Sequence, residues 1–266
     1  MSTERTDERQ RRHTDTVWRV MSVLTAIVEG RGKPMGIREL SRAADVPASS
    51  VHRYTKVMDE LGLIVAGDGG YVAGPEFERL ARLAVADAPV AFAAQSELDQ
   101  LAKTTGETAV LAVFDHQRAR VMFVAQSEGR HPLRYVLPLY EWISPLHGAS
   151  GLAIVAFLSD TAVTELLTNE PTRDALQVEL EGIQRRGFAL SHGQRIPGAV
   201  GISSPVFSAD GRVTGDISLT VPSSRFDARE QDRLVNAVRD AAARVSRALG
   251  APPTRLAILT DDDPTR

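Results

Sequence analysis

Gly36-Ile37-Arg38-Glu39-Leu40-Ser41-Arg42-Ala43-Ala44-Asp45-Val46-Pro47-Ala48-Ser49-Ser50-Val51-His52-Arg53-Tyr54-Thr55-Lys56-Val57-Met58-Asp59-Glu60-Leu61-Gly62 is the stretch that decides the fold. Ile37, Leu40, Ala43 and Ala44 recur at helical spacing, and Asp45-Val46-Pro47 breaks that helix, because the proline ring removes a donor and disfavours a helical residue before it. A second helix begins at once, with Val51, Tyr54, Met58 and Leu61 predicted on its apolar face and Gly62 as a left-handed stop. Its other face gathers Ser49, His52, Arg53 and Lys56 at i, i+3, i+4 and i+7. Hydroxyl, imidazole and cations in one stripe suit a recognition helix, which needs multi-donor groups for base edges and cations for phosphates. Any surface helix also carries a polar stripe, so the pattern needs its context.

That context follows directly. Leu63 to Ala66, the glycine-rich Gly67-Asp68-Gly69-Gly70 and Tyr71 to Ala73 read as a hairpin, which makes the module a winged helix-turn-helix. Upstream, Thr16 to Glu29 reads as a helix with Val17, Val20, Met21, Leu24, Ile27 and Val28 on its buried face, and Gly30 to Pro34 ends it. Arg31 and Lys33, the two cations in that loop, are expected to reach backbone phosphates, Lys33 being the one proposed as a contact. Residues 1–15, polar and charge-mixed, read as a disordered arm, which gives 16–74 as the DNA-binding domain. Downstream, Pro75 suits a first helical turn, and Phe77, Leu80, Ala81, Leu83 and Ala84 form a stripe on a linker helix over 75–89. With little core of its own to pack on, that helix is expected to pair with its copy in a second subunit.

From Val90 the pattern changes. Short apolar runs at 108–114, 120–125, 133–137, 188–190, 200–207 and 213–221 are predicted strands, with helices at 147–158, 161–167, 172–186 and 228–249. Neighbouring hairpins beside separate helical runs give an antiparallel α+β domain over 90–250, and 251–266 reads as a disordered tail.

Two chains of residues in this half invite a ligand. Pro145 to Ala153 places small residues at a helix start, where unpaired N–H groups favour an anion; the same residues equally permit close packing on a sheet. In Ile217-Ser218-Leu219-Thr220-Val221, alternation sends both hydroxyls to one face, either toward a ligand carboxylate or toward water.

At 266 residues with 43% hydrophobic and 24% charged, the chain is long enough for two cores and carries no run of membrane-spanning length and no apolar leader. A cytoplasmic location without membrane association is expected. Residues 1–75 hold eleven Lys/Arg against ten Asp/Glu and the net charge is −3, so DNA binding must rest on where the cations lie rather than on overall charge. Enzymatic readings find little support. Gly148-Ala149-Ser150-Gly151-Leu152 is not a nucleophile elbow, His147 and His192 have no spaced Asp partner, and six His without Cys show no zinc-like spacing. No metal or cofactor is expected.

Val46-Pro47-Ala48-Ser49-Ser50-Val51-His52-Arg53, Leu61-Gly62-Leu63 and Tyr71-Val72-Ala73-Gly74-Pro75 resemble the amino-terminal domain of IclR-family transcriptional regulators, and the resemblance extends over residues 16–250. Thr55 departs from it, standing where the family packs an aliphatic residue. The resemblance implies a GAF-like carboxy-terminal effector domain and a regulator, by preference a repressor, acting as a dimer or pair of dimers on double-stranded operator DNA. Ser50 then joins Ser49, His52, Arg53, Lys56 and Lys33 as an expected DNA contact. The positions matching the family's small-metabolite site, which often takes an organic or aromatic acid, are Val136, Ser150, Gly151, Ser191, Gly201, Ser218 and Thr220. Ser191 replaces an acidic residue found in some members, Gly201 a cysteine, and Leu152-Ala153 a frequent Gly-Lys. The reading that competes with a regulator is a ligand-binding or catalytic α+β protein whose small first domain mediates protein contacts.

Overall fold

The computed structural model describes residues 15–86 and 89–260, with side chains left aside at 85, 86 and 89–92. The chain forms two compact units, one running to Asp87 and the other from Ala88. Of the expected disordered arm only Asp15 falls within the described residues, and of the expected tail 261–266 falls outside them.

In the first unit α1 spans Thr16–Glu29, with the Asp15 carboxylate accepting from Val17 N at 2.8 Å. Helices α2 (Ile37–Ala44) and α3 (Ala48–Glu60) follow, then a hairpin of β1 (Ile64–Gly67) and β2 (Gly70–Ala73) and helix α4 (Pro75–Ala86). The turn between α2 and α3 is held by Asp45 at φ 52° and by Ser41 Oγ donating to Val46 O at 2.7 Å. The core joins Leu24 and Ile27 to Leu40, Val51, Tyr54, Met58 and Ile64. Three expectations fail here. Val17 (70% exposed) and Met21 (52%) lie off the buried face of α1, because Val23 and Ala26 turn the contact stripe away from them. Leu61, just past the last turn of α3, is 59% exposed. Thr55 is fully buried, and its hydroxyl is satisfied by donating to His52 O at 3.1 Å, so the departure from an aliphatic residue leaves no orphan polar group. The wing is tied down by Met35 and Tyr71, which exchange two backbone hydrogen bonds. Gly70, at φ 147°, lets them meet: a Cβ there would lie 2.2 Å from the Met35 backbone. Leu80 and Leu83 leave α4 with an open apolar stripe.

In the second unit α5 (Pro89–Thr105) leads into a six-stranded, wholly antiparallel sheet of order β5-β4-β3-β8-β7-β6. The strands are β3 (Thr108–Asp115), β4 (Arg120–Ser127), β5 (Trp142–Ile143), β6 (Ala189–His192), β7 (Ala199–Phe207) and β8 (Val213–Pro222). Helix α9 (Gln231–Ala248), entered through a 3-10 turn at Ala228–Glu230, packs with α5 on one face. Helix α6 (Ala149–Val155) covers the other, backed by α7 (Asp160–Leu167) and α8 (Arg173–Arg186). The architecture is α+β, with a helix-turn-helix unit followed by an antiparallel-sheet domain.

Two predictions are corrected. Residues 133–137 are not a strand, because their backbone groups are satisfied by side chains instead of a ladder. Thr108 Oγ1 donates to Tyr135 O at 2.7 Å, Leu137 N–H to Gln126 Oε1 at 3.1 Å, and Arg225 Nη2 to Leu133 O at 3.0 Å. Arg225 itself is fixed by a two-pronged pair with the buried Glu107, at 2.6 and 2.7 Å. The segment after Gly250 contains a helix, α10 (Pro253–Leu259), whose Leu259 is 1% exposed. Proline at the first helical position opens this helix inside the stretch expected to be a disordered tail.

Candidate functional site

Helix α3 is set against α1 and α2 by Val51, Tyr54 and Met58, which leaves Ser49, His52, Arg53 and Lys56 exposed together and Ser50 half-buried. Five of the expected DNA contacts therefore share the free side of one helix. The Arg53 guanidinium lies 5.2 Å from the centre of the Tyr54 ring and its contact with the Tyr54 hydroxyl is 3.5 Å, too long for a firm hydrogen bond. Arg53 is steered by the ring yet keeps donors for another partner. Lys33 stands apart in the loop after α1, 75% exposed and 3.7 Å from Glu39, a surface pair that is cheap to break.

The second unit holds a cavity enclosing about 420 Å³ of atom-free space, part of it open to solvent. Ser150, Ser191, Gly201, Ser218 and Thr220 line it, so five of the seven expected effector positions meet there. The sheet register explains how: Ser191 pairs with Gly201 and Gly201 with Thr220 in one row, and Ser203 pairs with Ser218 in the next. Ser218 and Thr220 are 5% and 8% exposed, which excludes the outer, wetted face for them.

The remaining two expected positions do not line the cavity. Val136 is 57% exposed, and Leu137 faces the space in its place. Gly151 is a packing residue: a Cβ there would sit 2.1 Å from Pro145 O, so its hydrogen is what lets α6 close against the preceding loop. With only seven residues, α6 also offers little dipole, and of the two readings the sequence left open for its start, anion binding or close packing, Gly151 serves the packing; a cation lines the cavity besides.

That cation is Arg195, in the loop between β6 and β7, which lines the cavity with its guanidinium 5.1 Å from the centre of the Phe123 ring. Gly148, at φ 86°, gives it passage, since a side chain at 148 would come within 3.2 Å of Arg195 Cβ. Burial holds the Arg195 pKa below its ordinary value while the charge of Asp216 draws it back up. The loop is fastened by Tyr135 Oη donating to Pro197 O at 3.3 Å and Ser223 Oγ to Gly198 O at 2.5 Å.

Beneath the hydroxyls lies Asp216, wholly buried, with Ser150 Oγ donating to its Oδ1 at 2.6 Å. Ser203 and Ser218 stand near enough to favour its charge, but its Oδ2 and the Ser203 hydroxyl complete no hydrogen bond among the described residues. Burial raises the Asp216 pKa to about 7, against the opposing pull of Ser150, Ser203, Ser218 and Arg195. Since the unfolded carboxyl titrates near ~3.9, ionisation opposes folding. The stabilisation is complete below that value and is lost as the pH rises through about 7. Asp216→Asn should accordingly flatten the fall in melting temperature between pH 5 and pH 8; parallel curves for the two proteins would show that Asp216 does not titrate there.

Neither Arg195 nor Asp216 was expected from the sequence. Asp216 did leave a signal, a lone carboxylate continuing the hydroxyl face of an apolar strand, whereas Arg195 sits in a glycine-flanked loop that looks like any other. Among the described residues no three His, Asp or Glu are grouped to hold a metal, and no helix is long and apolar enough to cross a membrane.

Residues 82–247 match the family model described as the IclR C-terminal domain of bacterial transcriptional regulators, and residues 16–67 match the IclR helix-turn-helix domain. A probable HTH-type transcriptional regulator, ArcR, of Halobacterium salinarum is 26% identical over 86% of this chain and 91% of its own. The crystal structure of a putative IclR transcriptional regulator from a Silicibacter species superposes with a TM-score of 0.78 at 25% identity, covering 90% of this chain and 98% of that one. An IclR homolog from Microbacterium hydrocarbonoxydans, solved in complex with 4-hydroxybenzoate, shares the fold at a TM-score of 0.76 and 22% identity, over 88% and 99% of the two chains. These family models and relatives are regulators of transcription, not enzymes.

Proposed function

Because this chain belongs to the IclR family of transcriptional regulators, we propose that it binds a pseudo-palindromic operator through α3 and represses from it, with a small organic acid in the cavity modulating that binding. The observation that carries the DNA reading is the stripe of Ser49, His52, Arg53 and Lys56, exposed side by side on the helix that a helix-turn-helix places in a major groove. Ser50 and Lys33 complete the contact set. The 4-hydroxybenzoate bound by the Microbacterium homolog, together with the hydroxyl-lined cavity and Arg195 here, supports an organic or aromatic acid as effector.

The working form in this reading is a homodimer or a pair of dimers in the cytoplasm. The exposed Leu80 and Leu83 of α4 support pairing of that helix with its copy, which would set the spacing of two recognition helices. An effector then acts by favouring one spacing, with a coupling of about 1–3 kcal/mol being ordinary for such systems.

Two expected outcomes test the parts separately. Lys33→Ala should weaken binding of every duplex alike, operator or not, and make it less salt-sensitive; an unchanged salt slope would remove Lys33 from the interface. Ser218→Ala combined with Thr220→Val should weaken the effector response while leaving effector-free operator affinity unchanged. A full response from that double variant would move the effector away from this cavity.

A further inference from the structure

The cavity wall carries two unlike polar groups. The Arg195 guanidinium is half-buried against Phe123, and no hydrogen bond or ion pair from it is formed with the described residues, though the charge of Asp216 reaches it. Asp216 lies behind a rank of hydroxyls: Ser150 donates its only proton to the carboxylate, so its lone pairs are what it offers elsewhere. Ser203 lines the cavity at 1% exposure close enough to Asp216 to favour its charge, yet neither its hydroxyl nor Asp216 Oδ2 completes a hydrogen bond among the described residues. Buried polar groups of this kind are normally satisfied, and leaving them bare costs more than a surface group would.

Resting on the reading that this cavity is the effector site, we propose that Arg195 anchors the effector's carboxylate while Ser203, backed by Asp216, accepts a hydrogen bond from a hydroxyl at its other end. The effector class is thereby a compact hydroxy monocarboxylic acid. Each group rejects the wrong chemistry. A neutral ligand leaves the desolvated guanidinium with no anion in hydrogen-bond contact, only the charge of Asp216 behind the hydroxyls, and a dicarboxylate brings a second negative charge toward the buried Asp216. A plain acid satisfies Arg195 but leaves Ser203 unmatched. Phe123 and Leu137 complete the wall and suit an apolar spacer between the two polar groups.

The test uses the full chain and measures affinity by thermal shift and calorimetry. The probes are 3-hydroxybutyrate and 4-hydroxybenzoate, each compared with its deoxy acid (butyrate, benzoate) and its neutral hydroxy amide, with succinate as the dicarboxylate. At least one hydroxy acid should bind roughly tenfold or more tightly than its deoxy acid and its amide, since each comparison removes one buried polar match. Arg195→Met should abolish the preference for acid over amide, and Arg195→Lys should restore part of it. The half-exposed position of Arg195 lets both variants fold, which their ligand-free melting temperatures verify.

Equal binding of acid and amide, or an Arg195→Met chain that still prefers the acid, overturns the assignment of Arg195. Equal binding of hydroxy and deoxy acids overturns the role of Ser203 and Asp216. A chain that ignores every probe, or prefers succinate, overturns the effector class. The underlying cavity reading fails separately, if the Ser218→Ala and Thr220→Val chain binds these acids as the unaltered one does.

Discussion

Gly151→Ala is expected to melt the second unit well below the unaltered chain. The substituted methyl would need to occupy space 2.1 Å from Pro145 O, 2.5 Å from its carbonyl carbon and 2.7 Å from its Cα, all backbone atoms that cannot rotate aside. Forcing a methyl into a packed interior costs about 1–3 kcal/mol, and rigid backbone neighbours place this site at the upper end. For a unit of this size, about 3 kcal/mol lowers the melting temperature by roughly 6–12 °C. Because α6 carries Ser150, whose hydroxyl holds Asp216, effector response should weaken along with stability. Calorimetry checks the first part. A Gly151→Ala chain that melts with the unaltered one would mean that α6 is loosely seated, and with it the wall of the cavity.

Arg53→Ala is expected to cost about 1–3 kcal/mol of operator affinity and to relax preference at one base position, as loss of a base-edge contact does. Two observations separate Arg53 from the other cations of the first unit. It lies on the exposed stripe of α3, and the Tyr54 ring limits where its guanidinium can go. Ring contact matters because an arginine already restricted loses less freedom on docking. Binding measured against duplexes substituted one position at a time tells a base contact from a phosphate contact. A uniform loss across all duplexes would make Arg53 a phosphate ligand and leave sequence reading to Ser49 and His52.

Local signals carried most of the first unit. Pro47, Gly62 and the glycine-rich turn punctuate α2, α3 and the hairpin, and the apolar period of α3 divides the exposed stripe from the core. Periodicity failed at helix ends and flanks: Val17, Met21 and Leu61 fit an apolar pattern yet face outward, since burial depends on which neighbour a helix meets. In the second unit, strands β3, β4, β7 and β8 were legible from their apolar runs, while residues 133–137 looked like a strand because Leu133, Tyr135, Val136 and Leu137 mimic one. Their hydrogen bonds run to Thr108, Gln126 and Arg225, partners distant in sequence. The same distance hid Arg195. Its place over the cavity depends on contacts from Tyr135 and Ser223, and on a glycine at 148 that leaves it room. Ser218 and Thr220 were legible as a pair on one face, but whether that face met ligand or water needed the helix above it.

Operator recognition by the exposed side of α3 is the claim beneath the rest. Fluorescence anisotropy of the full chain, titrated across a range of salt against the intergenic duplex upstream of its own coding sequence and against a scrambled duplex of equal length, tests it most directly. The intergenic duplex should bind more tightly at every salt concentration, with affinity falling steeply as salt rises. Equal affinity for the two duplexes, or binding that salt leaves untouched, would contradict it.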